Sequence, residues 1–244
     1  MPAIPSTARS SSGCYKRDVL RAVLFDVDFT LVRPGPDLGP QGYVRAAERF
    51  GVRIDLERYQ QAREAALVDL KRHPELDHDE EIWIAFTERI VRGLGADAES
   101  AREIAIEVTS AWQRHENFEL YEDALPVLEE LRAQGLKLAL VSNSARDMAE
   151  FARHHRLEVD AGISSFHHGK TKPHASIFRA ALELLGVDAG DAAMVGDTVE
   201  DDVEGARAIG MDAVLVDRLG RYPDFEPRLE DLYGVPAALG IPRP

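Results

Sequence analysis

A chain of 244 residues, 45% of them hydrophobic and 30% charged, holds enough apolar material for one core and a smaller insert, which excludes general disorder. A formal net charge of −14 excludes the basic footprint that nucleic acid or an anionic membrane surface requires, and it means that any attraction for an anionic substrate must be local. The single cysteine, Cys14, excludes an intrachain disulfide and agrees with a cytoplasmic location, and no apolar run approaches the roughly 20 residues of a membrane helix.

Residues 1–20 are rich in Ser and Pro, lack the apolar segment of a secretory signal, and read as a disordered leader. Residues 21–26 predict the first strand. Its four apolar residues before Asp26 read as a strand buried on both faces, as in a parallel sheet. Such a sheet presents its chemistry at the carboxyl ends of its strands. The stretch Asp26-Val27-Asp28-Phe29-Thr30 therefore places two carboxylates where a reacting group belongs. Buried carboxylates are unfavourable unless a cation or hydrogen bonds compensate them, so the pair points to a metal and an anionic substrate.

Residues 32–40, dense in Pro and Gly, read as a loop or flap. From there to residue 117 the pattern is helical. YVRAAERF, LERYQQAREAALVDL, EEIWIAFTERIVRGL and ESAREIAIEVTSAW carry apolar residues at helical spacing with charged opposite faces. Four consecutive amphipathic helices without a strand predict a helical insert over 39–117 between core segments 21–38 and 118–244, with Trp83 and Trp112 in the insert's core. Strand and helix then alternate. Helices are predicted at 123–134, 146–155, 174–185 and 203–209, and strands at 136–143, 161–164, 192–195 and 212–216. The alternation predicts an α/β fold, a doubly wound parallel sheet with right-handed crossovers. The tail from residue 221 shows one short helical pattern near Leu229 and receives no chemical role.

Three strand ends carry polar residues: Asp26, Asp28 and Thr30; Ser142 and Asn143; and Asp197 with Asp201 and Asp202. In a parallel sheet all three meet on one edge. Any one of them alone reads as a turn or a helix cap; their convergence, with a nearby lysine, is the specific signal.

With these residues in view, the sequence resembles the haloacid dehalogenase superfamily. FDVDFTL, LVSNS, Lys172-Pro173 in GKTKPHASIF, and VGDTVEDDVEGARAIGM resemble its four ordered motifs, and the helical insert resembles its helical cap. The resemblance implies a Rossmann-like core with an inserted α-helical cap domain, Mg²⁺ dependence, and phosphatase activity on a small phosphorylated metabolite. On this reading Asp26 is the nucleophile, forming an aspartyl-phosphate, and Asp28 is the general acid and base. Asp26, Asp197 and the backbone carbonyl of Asp28 hold the metal, with Asp202 steadying waters or Lys172. Thr30, Ser142 and the amide of Asn143 bind phosphoryl oxygens, and Lys172 neutralises them. Lys172 is preferred to Lys170 because the family's lysine directly precedes a proline. Asp201 reads as a solvated carboxylate at a helix N-terminus. The adjacent His167 and His168 are poorly placed to share one ion and receive no metal role. The family commonly has glycine where this chain has Phe29, which would wall the site or narrow the leaving-group path. Other readings on the same fold are a 2-haloacid dehalogenase, which needs neither metal nor Asp28, a phosphomutase, and a non-catalytic binding or regulatory module.

Overall fold

The computed structural model describes residues 20–242, so the leader expected over 1–20 lies, apart from Leu20, outside the described residues. The chain opens with β1 (Ala22–Phe25), followed by a short strand β2 (Val32–Pro34). Four helices come next: α1 (Pro40–Arg49), α2 (Tyr59–Val68), α3 (Glu80–Gly93) and α4 (Ala98–Ala111). Strand β3 (Phe118–Leu120) leads back to an alternating region of α5 (Ala124–Ala133), β4 (Lys137–Ser142), α6 (Met148–His155), β5 (Ala161–Ser164), α7 (Ser165–His168) and α8 (Ala175–Leu185). It continues through β6 (Ala192–Gly196), α9 (Gly205–Arg207), β7 (Asp212–Val216), β8 (Arg228–Leu229) and α10 (Val235–Ala238). Among the described residues no helix is long and apolar enough to cross a membrane.

The main sheet has the order β5-β4-β1-β6-β7-β8, with every pairing parallel. From β1 the chain builds outward to β4 and β5, then returns to the other side of β1 for β6, β7 and β8. The carboxyl end of β1 is therefore the topological switch point, where an open parallel sheet leaves a crevice. The strand alternates between two cores. Val23 and Phe25 join Leu138, Leu140 and Val195 under α5 and α6, while Ala22 and Leu24 join Ala139, Val141 and Met194 under α8. A strand covered on both faces must be apolar at every position, which is why β1 reads as an unbroken hydrophobic run.

The four helices of the insert pack around a separate cluster that includes Tyr43, Ala47, Ala62, Ile90 and Ile104. Helix α3 is capped by Asp79, whose carboxylate accepts from Glu81 N at 2.9 Å. Helix α4 is capped by Asp97, which accepts from Glu99 N at 3.1 Å and Ser100 N at 3.0 Å.

Several sequence expectations are corrected. The segment 32–40 is not all loop: β2 pairs antiparallel with β3, Val32 opposite Leu120 and Arg33 opposite Glu119, whose side chains meet at 3.1 Å. This ribbon joins the insert to the sheet through partners 86 residues apart, a pairing no local pattern announces. Trp83 is 47% exposed rather than buried in the insert, and Trp112 packs on the sheet's core beside Phe118. Helix α6 starts at Met148, capped by Asp147, leaving Arg146 in the preceding turn. The helix expected at 203–209 is a wide π-helical turn, Val199–Glu204, running into the short α9. Near Leu229 the expected helical pattern is strand β8, which pairs with β7.

Candidate active site

Asp26 follows β1 directly. Its N–H donates to Val195 O at 2.9 Å, so the backbone continues the ladder with β6 and the carboxylate is carried past the sheet edge, 7% exposed. The chain then turns tightly, with Leu31 N donating to Val27 O at 2.9 Å and Phe29 N to Val32 O at 2.7 Å. Phe29 sits in this turn with φ +64°, a left-handed conformation that a non-glycine residue adopts at a cost of about 1–2 kcal/mol. Thr30, fully buried, donates from Oγ1 to Asp26 Oδ2 at 2.9 Å.

The ends of β4 and β6 arrive beside this turn because both strands flank β1 in the sheet. After β4, the Asn143 side chain clasps the backbone of Lys172: Oδ1 accepts from Lys172 N at 2.7 Å and Nδ2 donates to Lys172 O at 3.1 Å. The side-chain amide is thus committed, leaving the Asn143 backbone N–H for other partners. Ser142 is buried, and its Oγ donates to Ser144 Oγ at 3.0 Å. Lys172, 3% exposed, reaches both Asp26 Oδ1 and Asp202 Oδ1 at 2.7 Å. Lys170 points elsewhere, to Glu75 O at 2.8 Å and Asp77 at 2.6 Å in the helical insert.

After β6, Asp202 turns back toward the strand. Its Oδ2 accepts from Thr198 N at 3.0 Å and Thr198 Oγ1 at 2.7 Å. Gly196 makes this possible: a Cβ there would lie 2.3 Å from Asp202 Cγ. Asp197, 6% exposed, pairs through Oδ2 with Arg221, which also donates to Asp197 O at 2.7 Å. Asp26, Asp197 and Asp202 each offer a carboxylate oxygen, and these three oxygens lie within 4.8 Å of one another.

Burial is the largest influence on Asp26; Lys172 opposes it, Asp202, Asp197 and Asp28 add to it, and the pKa is raised well above the usual carboxylate range. Asp197 is raised to about 6, by burial and by Asp202 against the pull of Arg221. Burial alone would lower the Lys172 ammonium, but the charges and hydrogen bonds of Asp202 and Asp26 outweigh it and raise its pKa, so the lysine stays charged. Three mutually repelling buried carboxylates thus share the cations of Lys172 and Arg221. An all-oxygen donor set of this charge suits a small hard dication such as Mg²⁺. Asp202 is already tied by three accepted bonds to Lys172 and Thr198, which leaves Asp26 and Asp197 better placed to ligate.

The four sequence motifs therefore meet at one place, with two differences of detail. Asp201 is not a solvated helix-end carboxylate: its side chain is 16% exposed and pairs with Arg72 of the insert, and burial raises its pKa. Asp28 pairs with Arg146, which is buried. His167 and His168 lie outside the acidic cluster and bond to Ser164 and Ser176 at 3.0 and 2.7 Å. Sequence reading missed Arg72, Arg146, Arg218 and Arg221. Arg218 donates to Thr30 O at 2.9 Å and to Asp123 Oδ1 at 2.7 Å, and Arg221 corrects the expectation that the tail has no part in the site. No spacing marks any of the four, since each stands in a turn or connecting segment. A cleft of about 160 Å³ runs between insert and core, lined by Arg72, His78, Ile82 and Trp83 on one side and Asn143 and Lys172 on the other.

A sequence model of the haloacid dehalogenase-like hydrolase family matches residues 20–210. The chain is 32% identical over 227 residues to the glyceraldehyde 3-phosphate phosphatase of Methanopyrus kandleri, an alignment covering 87% of this chain and 90% of that protein. It is 31% identical over 208 residues to the ribulose-1,5-bisphosphate 5-phosphatase of Halopiger xanaduensis, covering 80% and 84%. Among solved structures it resembles a phosphatase from Thermococcus onnurineus, with TM-score 0.65 and 26% identity over 92% of this chain and all of that one.

Proposed function

This chain belongs to the haloacid dehalogenase-like hydrolase family, and on that premise we propose that it is a Mg²⁺-dependent phosphatase of a small phosphorylated metabolite, working through an aspartyl-phosphate on Asp26. One observation carries the proposal: Lys172 and three carboxylates, one following β1 and two following β6, are buried together at the switch point of the sheet. The similarity to phosphatases named for three- and five-carbon phosphate esters supports a small substrate. So does the helical insert, which stands over the cleft and restricts what enters.

In the first half-reaction an Asp26 oxygen attacks phosphorus in line, and the bond from phosphorus to the ester oxygen breaks. Asp28 gives a proton to the departing alkoxide. In the second, water attacks phosphorus, Asp28 takes the water's proton, and the bond from Asp26 to phosphorus breaks to release phosphate. Lys172 and the backbone N–H of Asn143 hold the phosphoryl oxygens, joined by the hydroxyls of Thr30 and Ser142 once these rotate away from Asp26 Oδ2 and Ser144 Oγ. Asp202 keeps the Lys172 ammonium aimed at Asp26. Asp26, Asp197 and the backbone carbonyl of Asp28 would hold Mg²⁺, which would supply charge neutralisation at the transferring group.

The test is hydrolysis across a panel of phosphorylated sugars, carboxylates and nucleotides with Mg²⁺, with and without chelator. Chelator-sensitive turnover of one or a few members is expected. Chelator-insensitive activity confined to 2-haloacids would identify a dehalogenase instead, and no turnover of any ester would overturn the enzymatic reading.

A further inference from the structure

Arg146 stands in the turn between β4 and α6 and is 2% exposed. Its guanidinium carbon lies 4.1 Å from the ring centre of Phe118 and 5.1 Å from that of Phe151. Among the described residues its one hydrogen-bond partner is Asp28 Oδ2, while Nε and Nη1 are buried with none. Asp28 Oδ1 is also buried without a partner.

A buried guanidinium kept for structure alone would be expected to satisfy its donors on nearby carbonyls. This one lies against the rings of Phe118 and Phe151 and gives its single bond to the second carboxylate of the DVD sequence. We infer that Arg146 is a positioning residue for the proton transfer: by holding Oδ2 it fixes the orientation of the Asp28 carboxyl that carries and delivers the proton. The inference rests on the phosphatase reading above. The Asp28 carboxyl protonates the ester oxygen as the phosphorus–oxygen bond breaks and Asp26 becomes bonded to phosphorus; it recovers a proton from the water that later attacks phosphorus. Arg146 exchanges no proton and touches no reacting atom. The rings set its orientation from β3 and α6, so the return strand from the insert and the helix after β4 together place the acid.

A displaced acid matters in proportion to how much protonation the leaving group needs, and this separates a positioning role from a packing role. The experiment compares kcat/KM, which reports the step forming the aspartyl-phosphate, for alkyl, phenyl, 4-nitrophenyl and 2,4-dinitrophenyl phosphates in wild type, R146M and R146K. R146M keeps an unbranched apolar stem for the aromatic contacts, and melting curves establish that each variant is folded. The loss in R146M should be about 100-fold on the alkyl ester and shrink at least tenfold toward the dinitrophenyl ester. R146K, which keeps a cation on a similar stem, should restore part of the alkyl-ester rate. In a D28N background R146M should add less than about a twofold further loss on the dinitrophenyl ester. An equal loss on all four esters, or full additivity with D28N, assigns Arg146 to packing and overturns the inference while leaving the phosphatase reading intact. A wild type inert toward every ester overturns both.

Discussion

Replacing Gly196 with alanine tests whether close backbone approach is what seats the active-site acid. The added Cβ would lie 2.3 Å from Asp202 Cγ, 2.4 Å from Oδ2 and 2.5 Å from Cβ, an overlap too deep for a shift of a few tenths of an ångström to relieve. If Asp202 turns away, it forfeits bonds from Lys172 Nζ, Thr198 N and Thr198 Oγ1 at 2.7, 3.0 and 2.7 Å. Hydrogen bonds to a charged group contribute about 1.5–3 kcal/mol each. If instead β6 moves, overpacking costs about 1–3 kcal/mol. Forfeiting all three bonds would cost roughly 5–9 kcal/mol, so a shift of β6 is the less costly route and the loss should be near 3 kcal/mol, or roughly 6–12 °C of melting temperature in a chain of this size. Turnover should fall about 100-fold, because a shift of β6 carries Asp202, and with it Lys172, out of position against Asp26. The assay is urea unfolding followed by circular dichroism, run on G196A, D202G and the double variant. With the Asp202 side chain gone, G196A should cost less than about 1 kcal/mol. A loss below about 1 kcal/mol in the parent, or the same loss in both backgrounds, would refute this account of the glycine.

Three further outcomes are expected. D26N should abolish turnover of every monoester while leaving the melting temperature unchanged or raised, because one of three like charges is removed; residual turnover above a hundredth of wild type would exclude Asp26 as nucleophile. Ca²⁺ should bind, protecting the protein against thermal unfolding, yet support little hydrolysis because its larger and looser coordination misplaces the nucleophile; equal rates with Ca²⁺ and Mg²⁺ would contradict that geometry. His155 has its pKa lowered from 6.5 to about 4, by burial first and then by the charge of His154. Between those values the unfolded chain binds the proton and the folded one does not, so this contribution to stability is present above pH 6.5 and lost as pH falls toward 4. H155L should flatten the fall in unfolding free energy over that interval, and an unchanged slope would assign the acid sensitivity to other groups.

The chemistry is concentrated where the overall charge would not lead one to look. The net charge is −14, yet Lys172, Arg72, Arg146 and Arg221 each pair with an aspartate at the sheet's switch point. Lys172 and Arg146 are almost wholly buried. Of these cations, Arg72 and Lys172 line the cleft between insert and core.

What was readable from the order of residues follows from burial. Strands β1, β4 and β6 are covered on both faces, so they had to be written as apolar runs, and the polar residues closing them had to project from one edge. Asp26, Asp28, Ser142, Asn143, Asp197 and Asp202 were legible for that reason, and Lys172 through its proline neighbour. The helices of the insert were legible because a half-buried helix must repeat its apolar residues every third or fourth position. Tertiary structure alone decided which charges meet. Arg221 lies 24 residues from Asp197, Arg146 118 from Asp28 and Arg72 129 from Asp201. Long polar side chains in turns carry no periodicity, and the acid each one reaches depends on where the chain returns in space. The β2–β3 ribbon and strand β8 escaped for the same reason: two or three residues leave no pattern of their own and become strand only when a distant partner supplies the ladder.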